Sequence, residues 1–163
     1  MPLELKGLML REPRLTLGVA ESMTCGWVQA RIGAVSGASE FFLGGLTAYT
    51  LDQKVCHLGV ERAGAEAVNA VSATVAEQMA LGACRFFKSD LGLATTGYAE
   101  TNPALGVAAP FAFWALTQVR LNETPFVLSG RVDCVGATRG QAQQQVTDAV
   151  LRELIRFLVA QRG

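Results

Sequence analysis

Short apolar segments of strand length alternate along this chain with segments of helical periodicity, and this alternation constrains the fold more than any other feature. The apolar segments predict five strands, at residues 15–20, 41–50, 90–97, 107–117 and 126–134. The segments between them predict helices at residues 25–32, 52–58 and 72–88, the second of which ends at Gly59. Adjacent glycines inside the second strand, Gly44 and Gly45, indicate a bulge or a close backbone approach.

The last helix has the clearest start signal in the chain. Thr138 and Gln141 fit the T-x-x-Q capping box, in which each side chain satisfies the end amide of the other residue. Strands that alternate with helices favour helices packed on both faces of a mixed sheet. With 163 residues, the chain suits one domain. We therefore predict a single three-layer α/β/α domain over residues 1–163.

The charge balance and the cysteines exclude several classes of function. The 14 basic and 14 acidic residues cancel, so no long-range charge attracts nucleic acid or an anionic membrane. The most apolar run, residues 104–116, is too short to span a bilayer. The four cysteines form no CxxC pair and the one histidine has no second ligand nearby, which predicts no metal site. Without secretory features, we expect free thiols and a cytoplasmic location.

Polar residues follow the predicted strands where ligands gather in α/β sheets. Ser22 lies between the first strand and a helix, where its hydroxyl can cap the helix and nearby helix amides can stabilise an oxyanion. Because serine is common at helix caps, the sequence alone favours a plain cap. Tyr49 and Lys54 lie five residues apart across the next strand-to-helix junction. A buried lysine can serve as the base that a serine nucleophile needs, but this spacing also fits a solvated lysine and a half-buried tyrosine.

Two further positions are candidates for binding a ligand. Thr96 and Gly97 end the third strand and could bind a phosphate or an amide carbonyl, although ordinary turn chemistry is an equal alternative. Arg139 begins the last helix, where the helix dipole disfavours a cation. An arginine in that position suggests a bound anion such as a phosphate, against the alternative of a solvated side chain.

Several segments in order resemble one family. Residues 20–26, AESMTCG, resemble the AES-x-TGG signature of the CinA C-terminal domain, the nicotinamide mononucleotide deamidases of bacteria. Residues 37–39 resemble its GSS, residues 42–45 its F-x-x-G, and residues 48–54 its AYSN-x-x-K. The resemblance extends from Leu15 to Leu158, and the order and spacing of the pieces make it specific.

The resemblance implies a metal-independent amidohydrolase without a cofactor, which converts nicotinamide mononucleotide to nicotinic acid mononucleotide and ammonia. By this resemblance Ser22, Tyr49 and Lys54 are catalytic, with Lys54 steered by Tyr49 and removing the Ser22 proton. It also implies substrate-binding roles, in the oxyanion or nucleotide site, for Ser39, Thr24, Thr96, Gly97 and Arg139. The implied partner is a small-molecule substrate.

The sequence departs from the family at one loop. The family reads approximately I-AGP-x-GG after the TG of the third strand, whereas this chain reads YAETNP from Tyr98 to Pro103. The paired glycines are absent, and Glu100 brings a negative charge that would disfavour a phosphate. Cys25 likewise replaces a glycine in the first turn. Three functions therefore stay open: the standard deamidase, a same-fold amidase acting on another small amide, and a non-catalytic nucleotide-binding paralogue.

Two expectations concern organisation. The first predicted strand begins near residue 15, so we expect a stand-alone form of a domain that often follows another. Since most soluble assemblies are homo-oligomers, we also expect a homo-oligomer of unspecified size.

Overall fold

A five-stranded mixed sheet forms the centre of the described part of the protein, residues 2–162 of a computed structural model. The strands, in the order β2-β1-β3-β4-β5 across the sheet, are β1 (Leu17–Glu21), β2 (Phe42–Thr47), β3 (Leu91–Tyr98), β4 (Phe111–Gln118) and β5 (Phe126–Asp133). The α-helices are α1 (Pro2–Leu10), α2 (Trp27–Gly33), α3 (Leu51–Leu58), α4 (Arg62–Ala67), α5 (Ala73–Phe87) and α6 (Arg139–Arg162). Short 3-10 turns occupy Ala38–Glu40 and Pro103–Leu105.

The strand directions determine where a ligand site can form. β1 is parallel to both of its neighbours, β2 and β3, whereas β4 and β5 are each antiparallel to the preceding strand. The carboxyl ends of β1, β2 and β3 therefore meet at one edge of the sheet. Loops that leave such an edge bring residues distant in sequence into one cleft.

Helices cover both faces of the sheet, as the predicted three-layer arrangement requires. α1, α2 and α6 pack on the face that carries the larger apolar side chains, among them Leu17, Val19 and Leu93. α3, α4 and α5 cover the other face, where the strands present Ala20, Ala94 and Ala115. These small side chains let α5 lie close to the sheet, and a Cβ added at Gly92 would collide with a backbone carbonyl of α5.

The glycine pair of the second strand behaves as predicted. Leu17 pairs with Phe42 and Gly18 pairs with Gly44, so Leu43 is an extra residue in a β-bulge. A Cβ on Gly44 would lie 2.7 Å from the Phe87 ring of α5, so the bulge is also a close approach. The predicted glycine end of α3 is also confirmed, because Gly59 is left-handed (φ 67°) and caps that helix.

Several predicted boundaries were wrong for local reasons. α2 begins at Trp27 and not at Cys25, because Cys25 and Gly26 both have positive φ angles, 49° and 98°. β4 begins at Phe111 and not at residue 107, because Val107 forms an isolated bridge with Asn102. Half of the capping box of α6 is present: Gln141 Oε1 accepts from Thr138 N at 2.9 Å, but the Thr138 hydroxyl also donates to this oxygen.

Candidate active site

The turn after β1 is organised by a buried carboxylate. Glu21 is fully buried, and its two oxygens accept hydrogen bonds from the backbone amides of Gly26, Val28 and Gln29, at 2.8–3.1 Å. A carboxylate in this position is stabilised by the unpaired amides and the positive end of the helix dipole. These amides of α2 are therefore occupied, which corrects the expectation that they stabilise an oxyanion. Ser22 does not cap the helix either.

The Ser22 hydroxyl, which caps no helix, instead contacts Lys54. Lys54 Nζ donates a hydrogen bond to Ser22 Oγ at 2.9 Å, and both side chains are buried. Parallel pairing of β1 and β2 explains the contact, since Ser22 follows the end of one strand and Lys54 lies in the helix that follows the other. The solvated-lysine alternative is therefore wrong.

Burial makes Lys54 a suitable base. Removal from water lowers its pKa from the ordinary 10.5 to about 8. Its other hydrogen bond goes to the backbone carbonyl of Tyr49 at 3.2 Å, and none of the described carboxylates forms an ion pair with it. A lysine without a carboxylate partner loses its proton more readily than a salt-bridged one, so it can take a proton from the serine it contacts.

The Tyr49 side chain contacts Arg139 and not Lys54, beside which we expected it. Its carbonyl holds Lys54, but its phenol is half exposed and Tyr49 Oη accepts a hydrogen bond from Arg139 at 2.6 Å. The phenol forms no hydrogen bond to Lys54, so it does not steer the base as the resemblance implies. The side chain forms part of the cavity wall, and the backbone alone steers the base.

Ser22 and Lys54 lie at the bottom of a cavity of about 460 Å³. Its walls come from the segments after β2 and β3, the segment that precedes α5, and the start of α6. The other lining residues are Met23, Tyr49, Thr50, Leu51, Glu66, Asn69, Ala70, Val71, Thr96, Gly97, Tyr98, Ala99, Glu100, Thr101, Asn102 and Arg139.

One wall of the cavity has strained backbone. Asn69 and Ala70 are consecutive non-glycine residues with positive φ, 51° and 58°. Thr96 Oγ1 donates to the Ala70 carbonyl at 2.7 Å, and Asn69 Nδ2 donates to the Tyr98 hydroxyl at 2.9 Å. Two side chains of β3 thus hold this segment in place, and such strain often accompanies functional sites.

Arg139 is held at the mouth of the cavity by an internal anion. Its NH1 lies 2.7 Å from Glu100 Oε1, while NH2 donates to the Tyr49 hydroxyl. The sequence suggested that an arginine at the start of α6 binds an anion, and within this chain the anion is Glu100.

The structure brings together most, but not all, of the predicted binding residues. Thr96, Gly97 and Arg139 line the cavity with the catalytic pair, whereas Thr24 is fully buried outside it and bonds to Thr95 Oγ1 at 2.7 Å. Ser39 is exposed and precedes β2, so it lies at the opposite end of a strand that spans roughly 20 Å. Neither Thr24 nor Ser39 reaches Ser22 within this chain.

Backbone amides are the best placed groups to hold an oxyanion. The Thr96 hydroxyl already donates its proton to Ala70. Met23 N, directly after the serine, donates to no group among the described residues. Thr95 C=O accepts from Ser22 N, so Gly97, two residues further, directs its backbone groups to the same side, beyond the end of β1.

Sequence reasoning missed several residues that shape the site. Asn69 and Tyr98 act through a contact between distant segments, which no local pattern reveals, and Glu21 holds amides five to eight residues further along the chain. Gln143 carries no local signal of a role, but its side chain donates to the Met23 carbonyl at 2.9 Å. This bond connects α6 to the turn that carries Ser22.

The described residues contain neither a cluster of metal ligands nor a membrane-spanning helix. Over residues 2–162, no group of three or more histidine, cysteine, aspartate or glutamate side chains is placed to hold a metal ion. No helix in the same range has the length and apolar character needed to cross a membrane.

Known proteins share both the sequence and the fold. A CinA-like protein of Chlorobium limicola is 33% identical over 155 residues, which cover 95% of this chain and 36% of that protein. A CinA-like protein of Picosynechococcus is 50% identical over 93 residues, 57% of this chain and 22% of the relative. The chain therefore spans little more than a third of the length of these relatives at most.

Solved structures show the same architecture. The CinA superfamily protein of Enterobacter cloacae superposes with a TM-score of 0.86 at 23% identity, covering 96% of this chain and 89% of the other. A CinA superfamily protein of Klebsiella pneumoniae gives a TM-score of 0.85 at 20% identity, covering 98% and 96%. The family model of the CinA C-terminal domain matches residues 4–158. The chain belongs to the CinA C-terminal domain family.

Proposed function

We propose that this protein is an amidohydrolase in which Ser22 attacks a carboxamide and Lys54 is the base. The observation that carries the proposal is the buried 2.9 Å contact between Lys54 Nζ and Ser22 Oγ at the bottom of an open cavity. A serine hydroxyl is a weak nucleophile until a base takes its proton. The family resemblance suggests nicotinamide mononucleotide as the substrate, with nicotinic acid mononucleotide and ammonia as the products.

The steps follow from the contacts of the two side chains. Neutral Lys54 accepts the Ser22 proton while Ser22 Oγ forms a bond to the carboxamide carbon. Met23 N and the backbone of Gly97 stabilise the negative oxygen of the tetrahedral intermediate. The C–N bond then breaks, and ammonia leaves with the proton from Lys54. Water attacks the resulting ester, Lys54 takes its proton and returns one to Ser22, and the acid is released.

Two alternative functions can be compared with this one: one has a different amide substrate, and the other has no catalysis. A same-fold amidase acting on another small amide is favoured by one observation, the occupation of Arg139 by Glu100. A non-catalytic nucleotide-binding paralogue would have no use for a buried lysine against a serine. Burying an amine is costly, and this cost would bring a pure binder no benefit.

Ammonia release from nicotinamide mononucleotide tests the proposal. We expect release by the parent, a loss of at least about a thousandfold in Ser22→Ala, and a loss of at least about a hundredfold in Lys54→Ala. Ser36→Ala changes an exposed serine near the opposite end of the sheet and should retain parental activity. Near-full turnover by Ser22→Ala would refute the assignment of the nucleophile.

A further inference from the structure

We propose that the protein selects the phosphate-free, positively charged form of its amide, a pyridinium nucleoside in preference to the nucleotide, because Glu100 fills the anion position at Arg139. This inference rests on the proposed amidohydrolase function and specifies its substrate class. It starts from the 2.7 Å pair between Glu100 Oε1 and Arg139 NH1 at the cavity mouth.

Both terminal nitrogens of Arg139 already have a partner. One terminal nitrogen is paired with Glu100 and the other donates to the Tyr49 hydroxyl at 2.6 Å. Glu100 follows β3 by two residues, so it stays close to Arg139 and competes at a high effective concentration. A phosphate that binds the same nitrogen must displace this carboxylate and then remain beside it.

The charge of the cavity also opposes a phosphate. The charged lining residues are Lys54, Arg139, Glu66 and Glu100. In the reacting form Lys54 is uncharged, so the cavity then holds one cation, Arg139, and two carboxylates, of which Glu66 is also paired with Arg62 at 3.5 Å. Like charges a few ångströms apart repel each other. A phosphate dianion carries two negative charges, and each carboxylate repels both of them. The same field attracts a cation.

The cavity wall offers a surface that suits a cationic ring. Tyr49 and Tyr98 both line the cavity, and their hydroxyls are held by Arg139 and Asn69 respectively. Fixed aromatic faces attract a nearby cation through their quadrupoles. An aromatic carboxamide linked to a sugar through its ring nitrogen carries this positive charge. A cavity that already holds a carboxylate at its arginine and has tyrosine walls therefore fits the nucleoside better than the nucleotide.

Competition between two amides tests the inference. We would measure kcat/KM for ammonia release from nicotinamide riboside and from nicotinamide mononucleotide, with the parent, Glu100→Gln and Glu123→Gln. Glu123 lies beyond β4, away from the cavity, so its variant removes an equal charge elsewhere. The ratio of the two substrates in one variant cancels any loss of folded protein.

We expect the parent to prefer the riboside, and Glu100→Gln to shift the ratio towards the mononucleotide by about tenfold. Glu123→Gln should not shift it. A parent that prefers the mononucleotide, or an unchanged ratio in Glu100→Gln, would overturn the inference while leaving the amidohydrolase function intact.

A binding measurement separates the two proposals if the folded parent hydrolyses neither amide. The amidohydrolase proposal would then fail, and titration calorimetry with ribose 5-phosphate would decide the charge argument. Affinity about tenfold higher in Glu100→Gln than in the parent would support the role of Glu100. Equal affinity in the two proteins would refute it.

Discussion

Replacing Lys54 by methionine should make the protein more stable at neutral pH while abolishing its chemistry. Folding lowers the pKa of Lys54 from 10.5 to about 8 because the amine is buried. Each pKa unit corresponds to about 1.4 kcal/mol, so the protonated lysine costs the folded state about 3 kcal/mol. Methionine has a similar length and carries no charge, so Lys54→Met removes this cost.

The gain is partly offset by lost hydrogen bonds. Ser22 Oγ and the Tyr49 carbonyl each lose a donor, at about 0.5–1.5 kcal/mol per bond. We therefore expect a net increase of about 1–2 kcal/mol in the free energy of unfolding at pH 7.

The sign of the pH dependence follows from proton binding. The folded state releases the Lys54 proton near pH 8 but the unfolded chain holds it until about 10.5. The parent therefore gains stability as the pH rises between these values, and the advantage of Lys54→Met shrinks over the same range.

Urea denaturation at pH 7 and at pH 10 measures this difference. Lys6→Met is the control, because Lys6 lies at the surface in an ion pair with Glu40 and should change stability by less than about 1 kcal/mol. A Lys54→Met protein less stable than the parent at pH 7 would refute the claim that the buried amine is costly. If Lys54→Met raised the free energy of unfolding by the same amount at pH 10 as at pH 7, the buried charge on Lys54 would not be the cause of the gain.

Three other predictions concern the surrounding residues. Tyr49→Phe should raise KM while leaving kcat within about threefold, because the carbonyl that holds Lys54 remains and only the hydrogen bond to Arg139 is lost. A hundredfold fall in kcat would show instead that the phenol takes part in the chemistry. Glu21→Gln should lower the free energy of unfolding by about 1–3 kcal/mol in urea denaturation, because an amide replaces the carboxylate that accepts three backbone amides; unchanged stability would contradict the capping role. Cys25 and Cys56 are exposed and should react with a thiol reagent in the native protein, whereas Cys84, whose pKa burial raises to about 12, should react only on unfolding; rapid labelling of Cys84 in the native state would contradict its packing.

Most of the helices and strands were predictable because the spacing of apolar residues in each segment matches the face that the segment packs into the core. α5 has an apolar face at helical spacing, and β3 lies in the middle of the sheet with its first six residues buried. α1 and α4 were missed. α4 has only six residues, and the Glu61 side chain caps it from the position before the helix, which is usually serine, threonine, aspartate or asparagine. Short helices like this owe their stability to tertiary contacts.

The candidate site was predictable only where the family resemblance carried it. Spacing alone favoured a capping serine and a solvated lysine, and the resemblance placed Ser22 with Lys54. The pairing of Arg139 with Glu100, 39 residues apart, depends on how the loop after β3 folds back to α6. Local sequence rules do not contain this information. The hydrogen bonds of Glu21 are local, five to eight residues away, but no standard helix-start pattern describes them.

The pH dependence of kcat/KM for ammonia release tests most directly whether neutral Lys54 activates Ser22. With a pKa of about 8, only about a tenth of the lysine is neutral at pH 7. We expect kcat/KM to rise about tenfold per pH unit below pH 8 and to level off above it, and Lys54→Arg, which stays charged, to lack this activity. A parent profile that is flat or falls between pH 6 and pH 8 would contradict the account.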